Sequence, residues 1–270
     1  MLNDFSNHEI EGVVRRALAG DRRAARALFV AIERDHGAHR ISTIATLARI
    51  DEPALWTSLL AFLAGGGWQG IPIPPPSYAV ARDLQRVFVE PFGQPLLGRH
   101  RVVCEGLNSP SARIRALAAT LAVKQHNEGA APYLVALLSD IHPDVRIAAS
   151  RALQAMPDPE SIEPLTNNMF APDLGVRAAA ADALRAIGPA ALPAVLRHLI
   201  QDRLTPAFRQ AAVRALPYLA AGADPADVND LIESLRGTAA GAAVPVKADH
   251  LLQWCRSSSA NARSLDAIAG

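Results

Sequence analysis

The sequence predicts an all-α protein, an α-solenoid of helix pairs behind an N-terminal helical region. Three observations carry that prediction. Half of the 270 residues are hydrophobic but only 5% are aromatic, so any core is built from Ala, Leu, Ile and Val. Alanine is the best helix former and lets helices approach closely, while no run of alternating β-branched residues bounded by turns argues for strands. Third, an apolar residue followed by Arg recurs at Ile114-Arg115, Val145-Arg146, Val176-Arg177 and Phe208-Arg209, at spacings of 31, 31 and 32 residues. A fixed period of this size with two helices per unit marks an α-solenoid.

Taken in chain order, residues 7–66 read as about four helices. "HEIEGVVRRALAG" ends at Gly20, and "DRRAARALFVAIERDHG" starts at Asp21, a good N-cap, and stops at Gly37. "HRISTIATLARI" follows, then "EPALWTSLLAFLA" with Pro53 in its first turn, where proline is tolerated. Residues 65–77, "GGGWQGIPIPPPS", forbid a continuing helix and form a linker or a packed loop. Their apolar Trp68, Ile71 and Ile73 favour the packed loop. Helix resumes in "YAVARDLQRVFVEPF" and "QPLLGRHRVVCEGL". The division expected is 1–64 for the N-terminal helices, 65–77 for the loop, 78–258 for the repeats and 259–270 for a tail.

The repeats are clearest over residues 109–221. Ala152-Leu153, Ala183-Leu184 and Ala215-Leu216 stand six and seven positions after the last three arginines. A further helix begins near Pro132, Pro164, Pro193 and Pro225. Val246-Lys247, leading into "ADHLLQW", reads as a stretched fifth copy. The segment "APYLVALLSDIHPDVRIAASRALQAM", residues 131–156, resembles a HEAT repeat. It has the proline of the first helix (Pro132), the aspartate of the turn (Asp140) and the Val-Arg pair that opens the second helix (Val145-Arg146). The style of "HPDVRIAASRAL" and "DLGVRAAAADAL" is similar to the bacterial HEAT-like subclass named after phycobilisome lyases. The resemblance implies a structural ladder of turn aspartates and second-helix arginines between adjacent units, with Asp140, Arg146 and Arg177 in it. Residues 1–93 show helices without the family's spacing.

Composition gives little reason to expect chemistry. The formal net charge is +1, which sets up no global field for a polyanion. Cys104 and Cys255 are the only cysteines, too few for a disulfide framework and suited to a reducing, cytoplasmic setting. "MLNDFSNHEI" has neither the basic nor the apolar region of a signal peptide. The apolar stretch "ALWTSLLAFLAGGGW" is too short and too broken by glycine for a membrane span. His36 and His39 in "RDHGAHR" lack a third ligand at a recognisable spacing and read better as helix-end residues than as metal ligands. "AGGGWQG" lacks the Lys-Ser/Thr of a phosphate loop, and no nucleophile-elbow, zincin or paired C-x-x-C motif occurs. No cofactor and no metal are expected.

What remains is a surface. In HEAT-like folds, the resemblance implies, the second helices line the concave face. The helical period sends Val145, Ala149, Ala152 and Leu153 inward. It sends Thr120, Lys124, Arg151, Asp182, Arg185 and Arg214 outward, and four of these six are basic. Stacked units would set them in one shallow stripe, either a solvated helix face or a grip for an acidic protein surface or a nucleic-acid backbone. The expectation is a non-catalytic protein-interaction scaffold with a protein partner: an adaptor, an assembly factor or an inhibitor or immunity-type binder. A bilin-lyase-like subunit or chaperone of covalent attachment is the alternative. A binder of damaged nucleic acid, like HEAT-like alkylation-repair glycosylases, ranks last, because Trp56, Trp68 and Trp254 are dispersed and the net charge is small.

Overall fold

The computed structural model describes residues 7–34, 38–50, 52–69, 71–89, 97–201, 204–237 and 240–269. The fold is all-α, an α-solenoid of HEAT-like helix pairs behind a helical N-terminal region. Among the described residues the β pairing is confined to an isolated antiparallel bridge between Trp68 and Ile71. The chain forms two compact units, Met1–Tyr133 and Leu134–Gly270.

The first unit holds α1 (Asn7–Leu18), α2 (Arg22–Arg34), α3 (Ala38–Arg49), α4 (Pro53–Leu63), α5 (Tyr78–Val89), α6 (Leu97–Leu107) and α7 (Ala112–Lys124). Asp21 starts α2 by accepting the N–H groups of Ala24 and Arg23 at 3.1 and 2.8 Å. Those two bonds hold its carboxyl below the ordinary carboxylate value. Helices pack on their next-but-one neighbours: α1 on α3, α3 on α5, α5 on α7, and α4 on α6. This alternation is how stacked helix pairs meet, and it holds where the sequence shows no repeat spacing. Polar groups tie the layers as well. Buried Arg99 donates to Ala48 O at 2.8 Å and lies 4.9 Å from the centre of the Trp56 ring. Arg40 and Asp83 pair at 3.3 Å between α3 and α5.

The Gly/Pro-rich stretch is packed against this unit. Trp68 is fully buried and its Nε1 donates to Ala17 O at 3.2 Å. Gly67 makes the turn possible: its φ is +75°, and a side chain there would run into the carbonyl of Ile71.

α8 (Ala131–Leu137) carries the boundary between the units. The second unit continues with α9 (Pro143–Ala155), α10 (Ile162–Asn168), α11 (Leu174–Ile187), α12 (Leu192–Gln201), α13 (Pro206–Leu219), α14 (Pro225–Arg236) and α15 (Ala240–Ala269). α9, α11 and α13 lie side by side, and α10 lies on α12. While Ile114 of the first unit is half-buried, Val145, Val176 and Phe208, the apolar members of this unit's recurring pairs, are fully buried. So are Ala149, Ala152 and Leu153 and their counterparts Ala180, Ala183, Leu184, Ala212, Ala215 and Leu216. α11 approaches α9 so closely that a Cβ on Gly175 would stand 2.9 Å from Ile147 Cδ1. Leu174–Gln201 is apolar enough by composition to cross a membrane. It is nevertheless two packed helices, α11 and α12, that part at Gly188 with φ +80°.

The last helix pair departs from the pattern. α14 packs on α13, and α15 packs on α12 and α14. Val246-Lys247, expected as a fifth signature pair, does not play that part, because Val246 is 72% exposed. α15 instead buries Val244, Ala248, Leu251 and Leu252. Lys247 turns to α14, donating to Asp230 Oδ1 at 2.6 Å and Ser234 Oγ at 2.7 Å.

Candidate functional site

The recurring arginines serve the turns. Arg115 donates to the carbonyls of Ser109 and Pro110, at 2.7 and 3.0 Å. Arg146 does the same to Asp140 and Ile141, at 2.7 and 3.3 Å. Arg177 reaches Ala171 and Pro172, both at 2.8 Å. In each case the acceptors lie six and five residues earlier, in the turn that leads into the arginine's own helix. A guanidinium supplies several donors in a fixed fork, so one side chain satisfies two carbonyls that no helix ladder reaches. Arg209 departs from the series and donates to Gly237 O at 3.0 Å.

The outward residues of the second unit fall into a network. Asp182 accepts from Arg214 through both oxygens, with Nε–Oδ1 at 3.0 Å and Nη2–Oδ2 at 2.7 Å. Arg185, one turn further along α11, donates Nη1 to the same Asp182 Oδ1 at 3.0 Å. Its guanidinium lies 3.6 Å from the centre of the Tyr218 ring on α13. Arg151 occupies on α9 the repeat position that Asp182 has on α11 and Arg214 on α13. It is exposed and makes no side-chain hydrogen bond or ion pair among the described residues. The linked group therefore holds two arginines, one carboxylate and one aromatic ring, with Arg151 at the equivalent repeat position outside it. Tyr218 is 53% exposed, while Asp182 is only 23% exposed between its two partners.

Thr120 and Lys124 belong to the first unit. Thr120 Oγ1 bonds Ala116 O of its own helix at 3.2 Å, and Lys124 Nζ donates to Gln85 Oε1 at 2.7 Å. Sequence reading did not single out Tyr218. The signal was its place four residues after Arg214 and on the same outward face of α13. Three buried or half-buried amides were also missed: Asn168 donates to Leu138 O at 2.9 Å, Gln125 to Phe88 O at 2.8 Å and Asn127 to His100 O at 3.3 Å. These join helix ends across pairs.

Neither cysteine is set up as a nucleophile. Burial pushes the Cys104 thiol above its ordinary value; the hydrogen bond from Asn127 opposes this and the neighbouring Glu105 charge adds to it. Burial likewise raises Cys255. Thiolate, the nucleophilic form, is thus scarce at neutral pH. Among the described residues no three His, Cys, Asp or Glu side chains gather closely enough to hold a metal ion. His36 lies outside the described residues, and so does the side chain of His39.

Residues 101–185, from α6 to α11, match the family model of HEAT repeats. The segment where the arginine series is most regular thus carries that family's pattern, and a fold of this kind fits a protein-interaction scaffold. Among solved structures, a crystal structure of an engineered protein is similar at 19% identity and a TM-score of 0.43, covering 79% of this chain and 99% of that one. No curated protein matches the chain.

Proposed function

We propose that the protein is a non-catalytic scaffold that binds an acidic protein surface along the outward faces of α9, α11 and α13. It would act in the cytoplasm as an adaptor, an assembly factor or an inhibitor or immunity-type binder. The observation that supports this most is the network of Arg185, Arg214 and Tyr218 about the Asp182 carboxylate, with exposed Arg151 at the matching repeat position on α9. Arginine and tyrosine are the residue types that dominate interface energetics, because each couples a large flat contact area to hydrogen-bond donors. A guanidinium fork also matches a carboxylate in a bidentate geometry. A nucleic-acid backbone is a weaker fit, since Asp182 interrupts the positive stripe and the net charge is only +1. The phycobilisome-lyase-like reading rests on the style of two sequence segments, and bilin uptake by the purified protein would revive it.

The test compares affinity recovery from the native host with wild-type protein, Arg151→Glu and Tyr218→Ala. These two changes leave the Asp182–Arg214 pair intact, so the fold is kept, as an unchanged melting curve would verify. A partner retained by wild type should be lost from both variants and should elute as salt is raised. Equal recovery by all three proteins would place the interface elsewhere.

A further inference from the structure

A separate candidate site belongs to the first unit. α2, α4 and the proline-rich stretch enclose a groove of about 670 Å³, within the roughly 300–1,000 Å³ range of small-molecule pockets. Phe29 and Phe62 form its floor, their ring centres 4.0 Å apart, and Trp68 braces Phe29 edge-on at 5.0 Å. The wall opposite α2 is the strap 72–75, in which three of the four residues are proline. Prolines hold their backbone in a preset conformation and carry no N–H. The strap therefore keeps its shape without a ligand and gives a peptide backbone almost nothing to pair with.

The charges at the groove differ in what they already do. Glu33 Oε1 accepts the N–H of Ser77 at 2.7 Å, which pins the end of the strap to α2. Arg26 stands two helical turns earlier on the same face, about 10 Å away along the axis. It is exposed and makes no hydrogen bond or ion pair among the described residues. Between them Val30 is 39% exposed, an apolar side chain left open to the groove. A preformed apolar trough, with Arg26 at its end unpaired among the described residues, matches an apolar chain bearing an anionic head. We infer that this groove binds a small amphipathic anion, with its carboxylate on Arg26 and its apolar tail over Val30 and Phe62.

The probes are decanoate and decyltrimethylammonium, which share a tail and differ in head charge, each titrated below its micelle concentration by calorimetry. Decanoate should bind saturably at one site per chain, and the cation should bind at least about tenfold more weakly, the scale of one charge-assisted contact. Arg26→Gln should erase that preference while leaving the weaker, tail-driven binding. Val30→Asp should remove decanoate binding, with an unchanged circular dichroism spectrum in both variants. Absence of saturable decanoate binding, equal affinity for the two heads, or a preference that survives Arg26→Gln would overturn the assignment. None of these changes touches α9, α11 or α13, so the outcome is independent of the scaffold reading.

Discussion

Arg185 shows what a guanidinium does here that an ammonium would not. Its edge bonds Asp182 while its face covers Tyr218, and a lysine can supply only a point charge. His100 presents a different single-residue effect. Its Nε2 is buried and without a hydrogen-bond partner among the described residues. Burial lowers its proton affinity below the ordinary value of 6.5. In the unfolded chain the imidazole charges as pH falls through 6.5, whereas in the folded protein it stays neutral to lower pH. Its contribution is therefore intact above that value and is lost progressively below it, down to the folded-state pKa. Urea midpoints measured from about pH 7.5 to about pH 5.5 should fall, and His100→Gln should flatten part of that fall. An equally steep fall in the variant would assign the effect to other groups. Neither Arg185's stacking nor His100's burial was legible in the sequence. Each depends on which residue an adjacent helix brings opposite, and that is decided by helix packing over 30 residues or more.

At the scale of elements, the start of α11 illustrates how local chemistry defines a repeat. Asp173 Oδ1 accepts the Val176 N–H at 2.9 Å, satisfying a donor that has no partner within the helix. Asp173→Ala should cost about 1 kcal/mol, and Asp173→Asn, itself a good cap, should cost almost nothing. Chemical denaturation of the two variants checks this, and equal losses would show that the cap is immaterial. The sequence made such elements readable wherever their causes were local. Val145, Ala149, Ala152 and Leu153 lie at helical spacing and are buried as that spacing predicts. A structural role for Arg146 and Arg177 was expected from the family resemblance, but their carbonyl acceptors were not readable, since backbone carbonyls leave no mark in a sequence. In the first unit the helices were readable one by one, while their next-but-one packing was hidden. The 65–77 stretch interrupts the spacing there without interrupting the stacking.

For the whole molecule, the question is how a series of alanine-rich helix pairs ends. Each pair buries its face against a neighbour, so a change in the order of the helices changes which faces are covered. In the second unit the order changes after α13, where α14 packs on α13 and α15 lies on α12 and α14. α15 then has one face directed at α12 and α14 and another at solvent, which is why Leu251 is 1% exposed and Val246 is 72% exposed on the same helix. If α15 is an integral closing element, Leu251→Ala should cost about 2–5 kcal/mol, as for any leucine in a close-packed core. Val246→Asp should change stability by less than about 0.5 kcal/mol, as expected of an exposed position. This is the reverse of what a fifth repeat copy would give, because there the residue before the basic partner is the buried one, as Val145 and Val176 are. Urea unfolding of the two full-length variants distinguishes the cases. A large loss from Val246→Asp with a small one from Leu251→Ala would restore the fifth repeat and remove the closing role of α15.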